Sequence, residues 1–510
     1  MTVKILSIGL KGLEGYRVQV EVHISPGKES MVIVGLPDAS VKESKERVLS
    51  AIRNLDCDVT DQKIVVNLSP PEQKKNGPFF DLAMAIGVLK ETGELKEKIP
   101  EDTVFIGALS LDGTIEKIEG MLPALIAAKA LGFKKVYVPY DPLLPLDMLE
   151  DLECIVVRHI NDVLQHLAGQ MLLSLPIPSL AIDLVPKTYE YQKDFSEVIG
   201  HEQAKQALEI AAAGEHNVLM SGPPGCGKSL LAETFPSIFP PLTKEVQLEV
   251  ISLYQLAQET LVSPQMPPYR HPHHSASSVA IIGGGSYPKP GEISLAHRGV
   301  LFLDEMAEFP KKTLDMLRQP LETGKITISR VHSTVKYPAA FILIAAMNPC
   351  PCGFLGSNTH YCTCTPKQIQ SYRNRISGPI HDRIDILLSL KSVNLDQSSQ
   401  SRPSSDEIRN RVEGARKRQY ERYQEQICNA KVSFEKLSAT SPLKENQRNM
   451  IRQISSKQKW SNRVEIKMIR LARTISDLSD REEITDESIW KAITLRRENH
   501  NKEQMKIGKG

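Results

Sequence analysis

A glycine-rich stretch near the middle of the chain has the residue types and spacing of a loop that wraps phosphate groups. It consists of Gly222, Pro223, Pro224, Gly225, Cys226, Gly227, Lys228 and Ser229. The glycines permit a backbone turn that points successive N–H groups and a helix N-terminus at phosphate oxygens. In such a loop the lysine neutralises the outer phosphates and the serine holds Mg²⁺. The stretch predicts binding of ATP with Mg²⁺, and the alternative is a glycine-rich turn that matches by accident.

The segments on either side of this loop have the patterns that phosphate binding requires. Asn217 to Ser221 predicts a short buried strand that leads into the loop. Ser229 to Thr234 predicts the start of a helix that leads away from it. A strand, a loop and a helix in this order favour the phosphate-binding interpretation over an accidental match.

Two further apolar runs end in polar residues that could take part in hydrolysis. Val300 to Leu303 is a continuous apolar run of the parallel-sheet type, followed by Asp304 and Glu305. We expect Asp304 to hold Mg²⁺ through water and Glu305 to polarise the attacking water, unless the two are only a surface acidic pair. Ala340 to Met347 predicts another buried strand, and Asn348 after it is placed to orient the water or sense the γ-phosphate. Alone, Asn348 could equally be a turn residue.

Two arginines complete the candidate site. Arg383 follows a break at Gly378-Pro379, from which it could reach a phosphate bound to a neighbouring subunit. Its alternative role is a local ion pair with Asp382 or Asp385. Arg463 lies at the start of a predicted helix and could contact the phosphate from the C-terminal part of the chain. Its alternative is a solvated helix charge.

Four of the eight cysteines form two closely spaced pairs. They are Cys350, Cys352, Cys362 and Cys364, which make two C-x-C motifs separated by nine residues. Four thiolates can close a tetrahedral Zn²⁺ site, and a cytoplasmic chain is not expected to hold them as disulfides. The spacing is tighter than the commoner C-x-x-C, so a reduced structural loop and redox-sensitive thiols remain alternatives.

Composition sets the class of protein. The chain has 510 residues, of which 41% are hydrophobic and 24% charged, which is typical of a soluble globular protein with two or three domains. No apolar stretch approaches membrane-spanning length, so we expect a cytoplasmic protein with no membrane partner. The net charge of +2 hides an asymmetry, because residues 401–510 carry 25 basic and 16 acidic side chains. A basic C-terminal segment is compatible with a polyanionic partner, although a solvated helical face would have the same composition.

Pro-rich and polar breaks divide the chain into segments. The first segment alternates strand-like and helix-like runs, namely strands at Tyr16 to Ile24, Ser30 to Gly35, Lys63 to Leu68 and Lys135 to Pro139, and helices at Val41 to Asn54 and Leu122 to Leu131. A pair of predicted strands, Gly324 to Arg330 and Ser333 to Tyr337, suggests a hairpin inside the ATPase segment. The predicted boundaries are an N-terminal α/β domain at 1–168, a linker at 169–189, an ATPase core at 190–395 and a helical segment at 396–510.

Further segments have the character of family motifs, namely Ile33 to Asp38, Phe195 to Gly200, Gly291 to His297 leading into Leu301 to Glu305, Leu317 to Glu322 and Ala345 to Gly353. With these segments the chain resembles, over nearly its whole length, the ComM/YifB group of AAA+ ATPases, which are similar to the ATPase subunit of magnesium chelatase. The resemblance implies a P-loop AAA+ core with three αβα layers and a helical C-terminal lid of the magnesium-chelatase type. It also implies a homo-oligomeric ring, commonly a hexamer, that acts on branched or single-stranded DNA.

The same resemblance gives the hairpin an expected place in the ring, and a Pro-rich segment before Gly283 to Gly285 gives a cluster of histidines one. The hairpin would project toward the central pore, where Lys325 and Lys336 are the first candidates for phosphate-backbone contacts that do not depend on sequence. His271, His273 and His274 are expected to lie in a pore or intersubunit loop. A metal site at these histidines is the alternative, but it lacks a clear fourth ligand.

The N-terminal segment resembles the Lon-protease fold, of the ribosomal S5 domain 2 type, without its catalytic residues. The matching stretches are Asn76 to Ile86 and Gly113 to Ala124. Phe79 stands where that family has its serine nucleophile, and Leu122 stands where it has the activating lysine. Neither side chain can attack a carbonyl or accept a proton, so we expect no peptidase activity.

These patterns together predict an ATP-hydrolysing ring motor that acts on DNA as a helicase or translocase. Two alternatives use the same ATPase engine, a protein-remodelling ATPase and a metal-chelatase ATPase. Metal insertion would require separate porphyrin-binding partners, of which the chain gives no sign.

Overall fold

The computed structural model describes residues 2–170, 193–261, 263–285, 288–330, 333–357, 360–392 and 403–496. The chain divides into two compact units, of which the first comprises Met1–Lys187 with Lys244–Ser263 and the second Thr188–Thr243 with Pro264–Gly510. From residue 171 onward the predicted linker at 169–189 lies outside the described residues, as does most of the predicted junction near 396–405. The domain boundaries at these two places therefore remain predictions.

The first unit is a mixed α/β structure. The elements from the N-terminal part of the chain are β1 (Val3–Lys11), β2 (Glu14–Pro26), β3 (Ser30–Val34), α1 (Ala39–Arg53), β4 (Gln62–Ser69), α2 (Asp81–Thr92), β5 (Thr103–Phe105), β6 (Ala108–Leu109), β7 (Ile115–Glu116), α3 (Met121–Ala130), β8 (Lys135–Pro139), β9 (Glu153–Val157) and α4 (Ile160–Leu167). The largest sheet has the strand order β1-β2-β4-β3, in which only the β3–β4 pair is parallel. Val18, Val20 and Val22 of β2 are wholly buried, because alternate residues of a strand share one face. The six predicted strands and helices lie on β2, β3, β4, β8, α1 and α3, so the α/β pattern of this segment is confirmed.

The second unit holds the ATPase segment and the C-terminal helices. From residue 202 onward the chain forms α5 (Glu202–Gly214), β10 (Val218–Ser221), α6 (Lys228–Thr234), α7 (Lys244–Ala257), β11 (Tyr269–Arg270), α8 (Ser278–Ile282), β12 (Gly283–Gly284), β13 (Lys289–Pro290), α9 (Glu292–Leu295), β14 (Val300–Leu303), α10 (Lys311–Met316), α11 (Arg318–Thr323), β15 (Lys325–Arg330), β16 (Ser333–Pro338), β17 (Ile342–Met347), α12 (Pro366–Arg373), α13 (Gly378–His381), β18 (Ile386–Ser389), α14 (Ser405–Tyr423), α15 (Phe434–Thr440), α16 (Glu445–Gln458), α17 (Asn462–Leu478) and α18 (Asp486–Arg496). Of these elements, α7 belongs to the first unit.

A five-stranded parallel sheet positions the candidate site. Its order is β11-β14-β17-β10-β18, and every neighbouring pair is parallel. Strands β14 and β17 are buried along their whole length, as expected for apolar strands of a parallel sheet. Because the strands are parallel, their carboxyl ends lie at one edge, where open α/β sheets bind ligands. The strands predicted before the glycine-rich loop, before Asp304 and before Asn348 are thus confirmed as neighbours in one sheet.

The predicted hairpin is also present. Strands β15 and β16 pair antiparallel, with Thr327 opposite Lys336. Ile326, Ile328 and Val335 are buried, whereas Lys336 is exposed. The hairpin therefore has one face packed on the protein and presents lysine side chains to solvent.

The described residues from 405 to 496 form five helices, which agrees with the predicted helical C-terminal segment. Helices α14, α16, α17 and α18 contribute side chains to the same hydrophobic core as the parallel sheet. Ile408 of α14 and Met468 of α17 are buried in this core beside Val218 of β10. The C-terminal helices are therefore packed against the ATPase segment by apolar burial, which is the main stabilising term in such contacts.

One helix of the ATPase segment packs with the first unit instead of the second. Helix α7 contacts α3, and Ile251 of α7 is buried in the hydrophobic core of the first unit. The side-chain oxygen of Gln255 accepts a hydrogen bond from the backbone N–H of Leu122 at 3.2 Å, at the start of α3. The first four N–H groups of a helix have no partner within it, so Gln255 satisfies one of them. This excursion interrupts the stretch that the sequence predicted as a continuous core.

Within the described part of the chain, no helix combines the length and the apolar character that crossing a membrane requires.

Candidate nucleotide site and cysteine cluster

The glycine-rich loop connects β10 to α6, as predicted, and two different structural reasons explain why glycine is needed in it. Gly225 and Gly227 have φ angles of +74° and +86°, which favour glycine over residues with a Cβ atom. Gly222 does not have a positive φ; instead, a Cβ atom there would lie 2.9 Å from the carbonyl oxygen of Leu390. Gly225 and Gly227 therefore permit the turn through their positive φ angles, and Gly222 permits close packing on the segment after β18.

Lys228, the first residue of α6, is buried and points back into the loop. Its ammonium donates hydrogen bonds to the carbonyl oxygens of Gly222 at 2.7 Å and Pro223 at 2.9 Å. It also lies 3.3 Å from the side-chain oxygen of Asn348, at the end of β17. The structure thus brings together two residues that the sequence analysis assigned to the same phosphate groups.

Ser229 and Asp304 also meet at this edge of the sheet. The Ser229 hydroxyl donates to the Asp304 carboxylate at 3.2 Å, across the gap between α6 and the end of β14. A hydroxyl beside a carboxylate offers the oxygen ligands that Mg²⁺ prefers. The residues present therefore fit the cation that the sequence predicts.

Glu305 has a strained backbone and a half-exposed side chain. Its φ angle is +49°, which is uncommon for a residue with a Cβ atom, and its N–H donates to the Asp304 carboxylate at 2.8 Å. Backbone strain of this kind is often found at functional sites. One carboxylate oxygen of Glu305 lies 3.5 Å from Nδ1 of His274, which was predicted only as a loop residue. His274 is therefore a candidate positioning residue that the sequence analysis missed.

The other histidines of this loop do not form a metal site in the described structure. The rings of His273 and His274 are 4.1 Å apart, and the ring of His271 packs 4.6 Å from Phe302. Among the described residues, the four paired cysteines are the one group of three or more His, Cys, Asp or Glu side chains close enough to share a metal ion.

Arg383 and Arg463 meet at a residue that the sequence analysis did not single out. Arg383 forms an ion pair with Glu322 of α11, and its guanidinium also donates to the carbonyl oxygens of Arg318 and Pro379 at 3.0 and 2.8 Å. Arg463, the second residue of α17, lies 3.3 Å from the other carboxylate oxygen of Glu322. The local partner of Arg383 is thus Glu322, not Asp382 or Asp385, which were the alternatives considered.

Asp385 has a different role, because it joins the sheet to the C-terminal helices. It accepts a hydrogen bond from the N–H of Asn217 at 2.8 Å and forms an ion pair with Lys467 of α17 at 2.8 Å. Burial opposes ionisation of Asp385, but the ammonium of Lys467, the ring of His216 and the N–H of Asn217 together outweigh it and lower the pKa of Asp385 to about 2. Burial lowers the pKa of Lys467 to about 8. The side chain of Asn217 also donates to the carbonyl oxygen of Arg383 at 3.0 Å, so this network supports the backbone of that arginine.

The four paired cysteines converge into one cluster. Their sulfur atoms all lie within 4.8 Å of one another, and Cys350 is wholly buried. The Sγ atom of Cys350 is 3.4 Å from that of Cys352 and 3.7 Å from that of Cys362. A backbone N–H, that of Phe354, stabilises the thiolate of Cys352 and lowers its pKa to about 6. The other four cysteines lie elsewhere in the chain and are also free.

In the first unit, the two residues at the predicted positions of a peptidase dyad are buried and apolar. Phe79 is 7% exposed and its ring lies 6.4 Å from that of Phe80. Leu122 is wholly buried in α3.

The fold and the site define a P-loop ATPase built on a parallel sheet. Three family models match the chain: "Magnesium chelatase, subunit ChlI" over residues 194–398, "Subunit ChlI of Mg-chelatase" over residues 20–142, and "Magnesium chelatase, subunit ChlI C-terminal" over residues 402–496. YifB of Salmonella typhimurium and the competence protein ComM of Haemophilus influenzae are each 36% identical over 490 residues, which is 95% of either chain. The chain belongs to the ComM/YifB family of AAA+ ATPases, whose engine is of the magnesium chelatase ChlI type.

A shorter likeness extends to a protease. Lon protease of Lachnoclostridium phytofermentans is 31% identical over 165 residues, which is 30% of this chain and 20% of that protease.

Proposed function

We propose that ATP with Mg²⁺ binds at the carboxyl edge of the parallel sheet and is hydrolysed there. The observation that carries this proposal is the meeting of Lys228 with Asn348 and of Ser229 with Asp304 at one edge. When bound, Mg²⁺ neutralises charge on the phosphate oxygens. The loop N–H groups and the Lys228 ammonium bind the phosphates, and the loop carbonyls that now accept from Lys228 hold that ammonium in place.

In this proposal the remaining polar residues act on water and on the developing charge. Ser229 and Asp304 orient the cation, and Glu305 accepts a proton from the attacking water while Asn348 orients that water. Arg383 leaves Glu322 to contact the phosphate held by a neighbouring subunit, and Arg463 contacts the phosphate of its own subunit. The role of Arg383 requires a ring, and we propose the hexamer that the family resemblance implies. We also propose that the ATPase segment has the three-layer αβα core of that family and that the C-terminal helices form its lid.

We propose that DNA is the substrate of the motor and that the protein acts on it as a helicase or translocase in the cytoplasm. Competence is the capacity of a cell to take up DNA, and a relative that covers 95% of this chain is a competence protein. The exposed lysines Lys325 and Lys336 of the hairpin and the basic composition of residues 401–510 supply charge for phosphate-backbone contacts. Contacts of this kind do not depend on base sequence, which suits a motor that must cross every sequence.

For the first unit we propose a Lon-like fold that has lost its peptidase chemistry and serves interaction or regulation. The buried apolar side chains of Phe79 and Leu122 support this, since neither can act as a nucleophile or a base. We also propose Zn²⁺ as a second metal, bound by Cys350, Cys352, Cys362 and Cys364.

The substrate is tested by measuring the ATPase rate alone and with single-stranded, duplex and branched DNA, and with an unfolded protein at equal concentration. We expect branched or single-stranded DNA to stimulate the rate, and the stimulation to fall steeply as salt is added. Stimulation by the unfolded protein alone would overturn the DNA proposal in favour of protein remodelling. No ATP hydrolysis under any condition would contradict the proposed site itself.

A further inference from the structure

We infer that the metal centre at the four cysteines braces the nucleotide site, so that loss of the metal weakens ATP binding. This inference rests on the proposed function of the glycine-rich loop. It goes further, because it makes the cysteine cluster a working part of the ATPase and not only a local staple.

The sulfur positions fit a tetrahedral metal. With Zn–S distances of about 2.3 Å, the edges of a tetrahedron of sulfurs are about 3.8 Å long. The distances among the sulfurs of Cys350, Cys352 and Cys362 are 3.4, 3.6 and 3.7 Å, close to that length and far longer than the about 2 Å of a disulfide, and the sulfur of Cys364 lies within 4.8 Å of the other three. A site made of four thiolates, with no carboxylate or imidazole in the group, favours a soft ion such as Zn²⁺ over the hard ions Mg²⁺ and Ca²⁺.

The cluster begins directly beside a residue of the nucleotide site. Cys350 is the second residue after Asn348 and is wholly buried. Its sulfur accepts a hydrogen bond from the N–H of Leu355 at 3.4 Å, and its carbonyl oxygen accepts one from the N–H of Gly353 at 3.0 Å. The cysteine loop therefore folds back toward the end of β17, where Asn348 meets Lys228.

One glycine of the cysteine loop packs on the phosphate loop itself. A Cβ atom built on Gly353 would lie 2.9 Å from Cδ and Cγ of Pro224, and 3.9 Å from the side-chain amide carbon of Asn348. Gly353 also has a φ angle of +84°. Only a residue without a side chain fits here, and its backbone supports Pro224 from one side.

The other two cysteines connect the loop to a helix that returns to Asn348. Cys364 immediately precedes Thr365, whose side chain caps the N-terminus of α12 with Gln368. Tyr372 near the end of α12 is buried, which raises its pKa to about 12, and it interacts with the backbone of Asn348. A metal held by all four thiolates would close this circuit from Asn348 through the loop to α12 and back.

Two measurements on the full-length protein test the inference. The first is the zinc content of protein purified without chelator, for which we expect about one equivalent per chain. The second is the affinity for a slowly hydrolysed fluorescent ATP analogue. A variant with Cys352→Ser and Cys364→Ser should contain no zinc and bind the analogue at least about tenfold more weakly. Cys154→Ser, which changes a thiol of the first unit, is the matched control and should alter neither measurement.

Two further samples separate the metal from the folding of the variant. Wild-type protein stripped of zinc by a chelator should lose affinity for the analogue and regain it when zinc is restored. Gly353→Ala should keep its zinc and still lose affinity, because the added Cβ atom meets Pro224. Far-UV circular dichroism on every sample verifies that the fold is retained.

Several results would overturn the inference. Less than about a tenth of an equivalent of zinc, with no uptake of added zinc, would contradict the proposed metal site. Two disulfides detected by mass spectrometry would contradict it as well. A zinc-free protein that binds the analogue like wild type would contradict the coupling between the metal and ATP binding, while leaving the ATPase proposal intact. Normal affinity for the analogue in Gly353→Ala would exclude the contact with Pro224 as the link between the cysteine loop and the nucleotide site. If fully zinc-loaded wild type bound no nucleotide at all, the proposed function itself would fail.

Discussion

Arg383, in the turn before β18, and Arg463, at the start of α17, contact opposite oxygens of the Glu322 carboxylate. The Arg383 side chain is 14% exposed and that of Arg463 is 65% exposed, so the first is held in the protein and the second reaches across its surface. One carboxylate thus balances both arginines that the sequence analysis assigned to phosphate. We interpret Glu322 as the group that positions both arginines.

The role of Arg383 is tested by subunit mixing. Arg383→Ala protein should bind ATP but hydrolyse it about 10³-fold or more slowly, as expected when charge supplied by a neighbour is lost. Mixing it with Lys228→Ala protein should restore part of the rate, because each subunit supplies what the other lacks. The measurement is steady-state ATPase activity of the pure and mixed proteins, with mixed assembly demonstrated by pull-down of a tagged subunit.

The matched control is Arg411→Ala, which removes another arginine that is ion-paired with a glutamate, Glu209. It should leave the rate near wild type. If every demonstrated mixture of Arg383→Ala and Lys228→Ala stays inactive, Arg383 does not act across subunits.

Glu322→Gln should leave the fold intact and raise the affinity for nucleotide, since the arginines no longer have to leave a carboxylate.

Glu305 and Lys228 are expected to fail in different ways. Glu305→Gln should retain ATP affinity and lose turnover, because the loop and the Mg²⁺ ligands remain while the carboxylate that accepts a proton from water is gone. Lys228→Ala should lose both. Equilibrium binding of a fluorescent ATP analogue and single-turnover hydrolysis distinguish the two outcomes. Glu308→Gln, three residues beyond Glu305 and exposed, is the control, and a parental rate in Glu305→Gln would exclude Glu305 as the base.

Much of this site follows from the sequence, because its residues belong to short patterns with strong local causes. The glycine-rich loop requires a strand before it and a helix after it, and the apolar runs before Asp304 and Asn348 could be assigned as strands from composition alone. The parallel order of those strands then brings Lys228, Asn348, Ser229 and Asp304 to one edge.

The residues that sequence reasoning missed act through contacts that no local pattern encodes. His274 meets Glu305 only because β11, which precedes His274, pairs with β14, which precedes Glu305. Glu322 was quoted within a matching segment, yet nothing in its spacing distinguishes it from other exposed helix glutamates. Gly353 is one glycine among many in loops, and its close approach to Pro224 depends on tertiary packing.

The hairpin lysines are expected to act on DNA without affecting basal hydrolysis. Changing both Lys325 and Lys336 to Ala should lower DNA-stimulated ATPase activity and strand displacement, because two phosphate contacts are lost. The slope of log affinity against log salt should decrease by about 2. The measurement is DNA binding at several salt concentrations together with ATPase rates. Lys311→Ala with Lys312→Ala, two exposed lysines on α10, is the matched pair and should leave the salt slope unchanged.

Acid should destabilise the second unit through a buried histidine. His216 is wholly buried, and burial lowers its pKa to about 4, whereas an unfolded histidine has a pKa of about 6.5. Between these values the unfolded chain binds a proton that the folded chain does not, so stability falls as the pH falls from about 6.5 to about 4. The full effect is up to about 3 kcal/mol. The charged groups that act on the ring are Asp385, Lys467, Arg470 and Lys431.

Denaturant titrations at pH 7 and pH 5 test this contribution. Wild type should lose about 2 kcal/mol of unfolding free energy on going to pH 5 from this histidine alone. His216→Gln should be less stable at pH 7, since the imidazole Nε2 lies 2.8 Å from the Thr474 hydroxyl, but should depend less on pH in this window. His273→Gln, at an exposed histidine, should keep the wild-type dependence. An unchanged pH dependence in His216→Gln would contradict the assignment.

The packing of α7 with the first unit determines where the protein can be divided into fragments. A fragment that stops at residue 168 loses Ile251, which belongs to its hydrophobic core, and Gln255, which satisfies the first turn of α3. The complementary fragment would carry α7 with no partner for its apolar face. Cutting at the sequence linker therefore yields two incomplete products, and swapping the N-terminal part between relatives requires exchanging residues 244–263 as well.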